Sequence, residues 1–243
     1  MSESERITIY AAEESPFPHR VFVALEEAKL PYDIIWIDLC DKPDWYTENV
    51  YPTAKVPYLV YGGPKLHPGQ SPSPDLPQLG ESMVILEFLA DTFPKAQLLP
   101  SSPFLRAKAR LFYKAVEEIF VPALIEVAYK KGPGETLYKA LEHIQSLLPP
   151  TGFAVGDWSI ADAAFWPVYL QAFVLLELKP PTLAPGSEEV LETLQNSPRF
   201  ARLRTYVEEN MTRPSATKRW NTETVKAKMA RRLEFVFSGA QKK

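Results

Sequence analysis

The chain has 243 residues, 46% hydrophobic and 12% aromatic, with a net charge of −3, which is enough apolar material for one large or two modest domains. Cys40 is the sole cysteine, and His19, His67 and His143 have no second histidine or cysteine at ligand spacing. Internal disulfides are thereby excluded and no metal is expected. The opening Met1-Ser2-Glu3-Ser4-Glu5-Arg6 is polar. It lacks the apolar run of a secretory signal, and no later segment is expected to reach the uninterrupted apolar length that spans a bilayer. The expected address is cytoplasmic, with no membrane partner.

In chain order, Ile7 to Ala11 reads as a short buried strand, and Val21, Phe22, Leu25 and Ala28 form the apolar stripe of a helix from His19 to Lys29. Tyr32 to Ile37 reads as a second strand, completing a βαβ unit. A helical turn over Asp44 to Asn49 follows, then a strand over Tyr58 to Tyr61 and a helix from Ser82 to Asp91. Between Gly62 and Gly80 lies a loop with five prolines and four glycines, long for a strand connection.

Beyond Pro103 the pattern is helical throughout. Leu105 to Lys131 carries a long helix in which Pro122 predicts a kink or break near Phe120. Further helices are expected over Glu135 to Leu148, Ile160 to Leu178, Glu188 to Gln195 and Pro198 to Glu209. The change of pattern predicts two domains, an α/β domain over 1–94 and an all-α domain over 103–243. The tail from Arg213 onward has nine Lys or Arg against two Glu, leaving −10 for the rest. Val225, Met229, Leu233 and Val236 nevertheless share one helical stripe, so a docked helix with a solvated basic face is expected, and no nucleic-acid partner.

Ser15-Pro16-Phe17-Pro18 stands where the first strand passes into the first helix. The free N–H groups and partial positive charge of a helix start stabilise a sulfur anion there. A serine at this point cannot exchange disulfides, but its hydroxyl can polarise a thiol belonging to another molecule. Ser15 equally suits a plain N-cap, with Pro16 at the first helical position. Val56-Pro57, before a strand, is a candidate cis peptide whose exposed N–H and C=O can pair with an extended ligand. Glu81-Ser82 begins another helix and offers N–H groups, a hydroxyl and a carboxylate to an α-amino acid head. A trans proline and a simple helix cap are the alternatives for these two motifs.

Together these motifs resemble the glutathione transferase family, and within it the omega class, where Cys-Pro-Phe opens the first helix and Ser15-Pro16-Phe17 stands here. The resemblance extends through Lys42-Pro43-Asp44-Trp45, Val56-Pro57, Glu81-Ser82 and Gly156-Asp157-Trp158-Ser159-Ile160-Ala161-Asp162, and so covers essentially the whole chain. It is nearer to the serine-bearing omega-like isoforms of fungi. It implies a thioredoxin-like N-terminal domain plus an all-α C-terminal domain, with glutathione as co-substrate and a homodimeric state. Activities that need a protein thiolate are not implied. Phe17, Lys42, Val56, Pro57, Glu81 and Ser82 are the implied glutathione-binding residues, Lys42 serving the glycine carboxylate. Phe17, Ile125, Tyr129 and Gln171 are implied to line the space for a small hydrophobic or aromatic ligand. The Ser-x-x-Asp spacing of Ser159 and Asp162 is that of a capping box and is read as structural.

On this reading a free thiol, with a pKa of about 8.5, is mostly protonated at neutral pH. A hydroxyl donated by Ser15 lowers that pKa, and the glutathione thiolate attacks an electrophilic carbon. Ser15 is the donor, never the nucleophile, because no histidine base is placed to activate it. The alternative is a ligandin-type carrier of aromatic or phenolic compounds with little turnover. A third reading, a mere interaction module, fits poorly with an intact set of glutathione-binding residues.

Overall fold

The computed structural model describes residues 5–184 and 189–239, which form two compact units. One runs to Ala96 and takes in the residues from Glu223 onward, and the other is Gln97–Thr222.

In the first unit, strand β1 (Ile7–Ala11) is buried on both faces. It pairs in parallel with β2 (Asp33–Trp36) and antiparallel with β3 (Tyr58–Tyr61), which pairs antiparallel with β4 (Gln78–Gly80). The sheet order is β2-β1-β3-β4. Helix α1 (Pro16–Glu27) buries Val21, Phe22, Ala24 and Leu25, and packs with α3 (Ser82–Thr92). Tyr10 belongs to a separate aromatic cluster with Tyr46 of the short α2 (Asp44–Asn49), Tyr58, Ile35 and Val60. This is the thioredoxin-like layer structure expected from the sequence.

Three differences from the sequence expectation have physical causes. The connection read as one loop over 62–80 ends in β4, whose Leu79 pairs with Leu59, while Leu66 and Leu76 join the aromatic cluster. Three residues between prolines and glycine are too few to show strand alternation. The last helix, α11 (Thr222–Phe237), belongs with the first unit from Glu223 onward rather than with the helical one. It buries Val225, Met229 and Leu233, and ion pairs from Lys228 to Glu13 at 2.5 Å and Arg231 to Asp38 at 2.7 Å hold it there. The third difference is a helix long and apolar enough to cross a membrane, Ile160–Leu178. Since 83% of that stretch is buried inside the protein, its apolarity is that of a core helix.

The second unit is helical: α4 (Pro103–Ala115), α5 (Val121–Tyr129), α6 (Gly134–Leu147), α7 (Ile160–Leu178), α8 (Glu189–Asn196), α9 (Ala201–Met211) and the short α10 (Pro214–Lys218). The start expected for α8, Glu188, lies outside the described residues. The break expected near Phe120 is a single π-helical turn over Val116–Phe120, which carries the chain from α4 into α5 with Pro122 in the first turn of α5. The core gathers Phe112, Phe120, Phe165 and Tyr206 around α7.

At the start of α7, Ser159 Oγ accepts the Ala161 N–H at 3.3 Å, and Asp162 accepts the Ser159 N–H at 2.8 Å, a reciprocal cap. Asp162 also accepts from the Ala154 N–H and the Tyr206 hydroxyl, each at 2.8 Å. Burial pushes its carboxyl up to about 6, against the pull of these donors, and it is ionised at neutral pH.

Candidate functional site

The pairing register brings the singled-out motifs of the first unit to one end of the sheet. Tyr10 lies opposite Tyr58 and Tyr58 opposite Gly80, while Ala11 lies beside Trp36. The C-terminal ends of β1, β2 and β4 and the start of β3 therefore coincide. Ser15 leaves β1 at that end, Lys42 follows β2, Val56-Pro57 precedes β3, and Glu81-Ser82 follows β4.

Ser15 occupies the N-cap of α1 in extended backbone with Pro16 behind it, yet its side chain makes no capping hydrogen bond. The plain N-cap role is thus unfilled by the hydroxyl of Ser15, a buried residue at a helix start. His19, one turn on, is buried and bonds the Glu13 carbonyl at 2.8 Å through Nε2. A carbonyl only accepts, so Nε2 carries the proton. Burial pushes the imidazole down to about 4, so it is neutral at pH 7.

The Val56-Pro57 bond is cis. Glu81 holds a left-handed φ of 62° before the first residue of α3, a conformation that non-glycine residues rarely adopt. Such residues cluster at binding and catalytic sites. Its carboxylate meets Lys55 Nζ at 3.2 Å in an exposed pair of little energetic weight. Gly80 sits at a close approach: a Cβ there would collide with the hydroxyl of Tyr51, whose ring stacks on Tyr58 at 4.3 Å.

Sequence reasoning missed Arg20. Its side chain is fully buried, its Nη1 donates to Ser82 Oγ at 3.2 Å, and its guanidinium lies 5.0 Å from the Phe17 ring centroid. One side chain thus joins the first helix start to the third. An arginine beside the Val21-Phe22-Leu25 stripe was the available signal, because a fully buried guanidinium requires partners. Lys42 is half-buried, and burial, reinforced by the nearby charge of Arg232, lowers its pKa.

The remaining expected residues belong to the second unit: Ile125 on α5 is 41% exposed, Tyr129 on α5 is half-buried and Gln171 on α7 is buried. No group of three or more His, Cys, Asp or Glu suited to a metal occurs among the described residues.

A thioredoxin-like sheet with a serine at its first helix start, a cis-proline and a helix-start serine is the frame of a thiol-binding domain. Residues 14–92 match the Glutathione S-transferase, N-terminal domain family. A probable glutathione S-transferase of Nicotiana tabacum is 31% identical over 163 residues, covering 63% of this chain and 67% of that protein. The crystal structure of glutathione transferase Omega 1C from Trametes versicolor is 39% identical, with a TM-score of 0.86 over 94% of this chain and 97% of that one. Omega 2S from the same organism, in complex with 2,4-dihydroxybenzophenone, is 38% identical, with a TM-score of 0.86 over 94% and 99%. The chain belongs to the glutathione transferase family and is omega-like within it. Its fold and its class of activity, a glutathione transferase, follow from that membership.

Proposed function

We propose that the protein conjugates glutathione to small hydrophobic or aromatic electrophiles, with Ser15 stabilising the glutathione thiolate. The observation that carries this reading is the convergence of Ser15, Lys42, Val56-Pro57 and Glu81-Ser82 at one end of the sheet, with the Ser15 hydroxyl unspent on capping. Glutathione's γ-glutamyl head takes the N–H groups and hydroxyl at Ser82 and the carboxylate of Glu81. Its cysteine pairs with Val56 before Pro57, and Lys42 serves its glycine carboxylate. Phe17 borders the thiol. The sulfur then faces Ser15 and the N-terminus of α1, where a donated hydrogen bond and the helix dipole favour the anion. His19 is neutral at pH 7 and donates its Nε2 proton to the Glu13 carbonyl. Attack on carbon by the thiolate expels a leaving group or forms an adduct.

Phe17, Ile125, Tyr129 and Gln171 are assigned to the electrophile. The exposure of Ile125, apolar yet 41% accessible, supports that role. Carriage of aromatic compounds with little turnover is the secondary reading, and the 2,4-dihydroxybenzophenone complex of the Omega 2S relative favours it. We further assign a homodimeric state and a cytoplasmic address. Exposed Val84 on α3, and exposed Phe104 and Leu111 on α4, are apolar surface that a second copy would cover, which sedimentation over a range of concentrations tests.

The decisive experiment is an ultraviolet difference titration of bound glutathione against pH. A thiolate pKa clearly below that of free glutathione supports conjugation built on Ser15. Binding with an unshifted pKa overturns it in favour of carriage.

A further inference from the structure

The second unit holds a cavity of about 350 Å³, none of whose walls comes from Ile125, Tyr129 or Gln171. That volume is within the roughly 300–1,000 Å³ of small-molecule sites. Successive turns of α7 bring Tyr169, Phe173 and Val174 to it, α8 brings Leu194, and α9 brings Val207. Trp220 closes one wall, its indole N–H donating to Thr222 Oγ1 at 3.1 Å. The rings of Tyr169 and Phe173 lie 4.9 Å apart. Three aromatic side chains beside the aliphatic Leu170, Val174, Leu194 and Val207 favour an aromatic occupant.

Two polar groups of α9 reach the same space, Arg204 and Glu208, one helical turn apart. They form no ion pair with each other among the described residues. Arg204 Nη1 is anchored on the carbonyls of Leu194 at 3.4 Å and Ser197 at 2.5 Å, which fixes the guanidinium while its Nε and Nη2 donate to no described residue. The Glu208 carboxylate is exposed and only accepts. The cavity therefore offers an aromatic floor, a fixed donor and an acceptor. Glu177 adds a second negative charge to the lining, so an anionic occupant is disfavoured.

We propose that this cavity is a second ligand site, built entirely from residues of the helical unit, for an uncharged aromatic compound bearing a hydroxyl and a carbonyl oxygen. The hydroxyl donates to Glu208, the carbonyl accepts from Arg204, and the rings lie against Tyr169, Phe173 and Trp220. The site requires no glutathione and stands whether or not Ser15 acts as assigned above.

The test is calorimetric titration of 2,4-dihydroxybenzophenone into the full chain saturated with S-hexylglutathione, which fills the glutathione seat and the alkyl space beside the sulfur. Binding is expected to persist. Val207→Trp, which fills the cavity, is expected to weaken it at least about tenfold, and Glu208→Gln about fivefold. Unhydroxylated benzophenone is expected to bind about tenfold more weakly, and Ile125→Trp to leave the affinity unchanged. Gln195→Trp, at an exposed position on the cavity lining, serves as the blocking variant if Val207→Trp does not fold. Loss of binding in the presence of S-hexylglutathione, or wild-type affinity in the blocking variants, overturns the proposal.

Discussion

Arg20 Nη1 donates to Ser82 Oγ across 3.2 Å, so a buried cation on α1 fixes the hydroxyl that begins α3. Replacing Arg20 by methionine keeps the apolar stem and removes the donor. The expected result is a rise of about five- to tenfold in the KM for glutathione with kcat nearly unchanged, because the proposed function assigns Ser82 to the γ-glutamyl head and not to the sulfur. Steady-state kinetics with glutathione varied at saturating electrophile checks it. An equal fall in kcat would assign Arg20 to the chemistry instead.

Ser15→Ala is expected to slow conjugation about tenfold to a hundredfold, the worth of one hydrogen bond of about 1.5–3 kcal/mol to an anion, with glutathione affinity largely retained. Ser15→Cys is expected to gain thiol-disulfide exchange with glutathione, seen by mass spectrometry as a mixed disulfide on residue 15. An unchanged conjugation rate in the alanine variant would remove Ser15 from the mechanism.

Acid acts in opposite directions through His19 and Asp162. The unfolded chain protonates His19 at its ordinary pKa near 6.5, whereas the folded protein resists until about 4. Between those values the unfolded state holds the extra proton, so His19 makes stability fall as pH drops, by up to about 3 kcal/mol. Asp162 does the reverse: the folded state takes its proton at about 6 and the unfolded one at 3.8, so its contribution grows on acidification through that window. Wild type and His19→Gln should therefore diverge in urea-unfolding free energy from pH 6.5 downward, with wild type losing ground. Parallel profiles would contradict the neutral, buried imidazole.

Asp162→Asn substitutes an amide whose NH₂ cannot accept from the Ala154 or Ser159 N–H, so one buried donor loses its partner. A loss of about 2–4 kcal/mol is expected in equilibrium unfolding at pH 7, with little effect on glutathione binding. Tyr206→Phe, which removes only the donated hydroxyl, should cost about 1–2 kcal/mol.

Local chemistry made parts of both units legible. The strands Ile7–Ala11 and Tyr58–Tyr61, the turn of helix at Asp44–Asn49 and the reciprocal cap of Ser159 and Asp162 each rest on residues near one another in sequence. Features that depend on distant partners were not legible. Arg20 acquires its meaning from Ser82, 62 residues away. Strand β4 exists because Leu79 meets Leu59, and the cavity exists only where α7, α8, α9 and Trp220 come together. The apolar stripe of α11 predicted that the helix would dock with its basic face solvated, but the acidic partners that Lys228 and Arg231 of that face meet, Glu13 and Asp38, lie near the opposite end of the chain.

That last arrangement has a consequence for biosynthesis. The first unit is discontinuous along the polypeptide, beginning with the strands and ending with a helix made more than 120 residues later. The helical unit, contiguous from Gln97 to Thr222, has all its residues out of the ribosome before α11 emerges. The unit translated first is thus the one completed last, and a nascent chain arrested before residue 223 holds Glu13 and Asp38 without the cations that meet them in the finished protein.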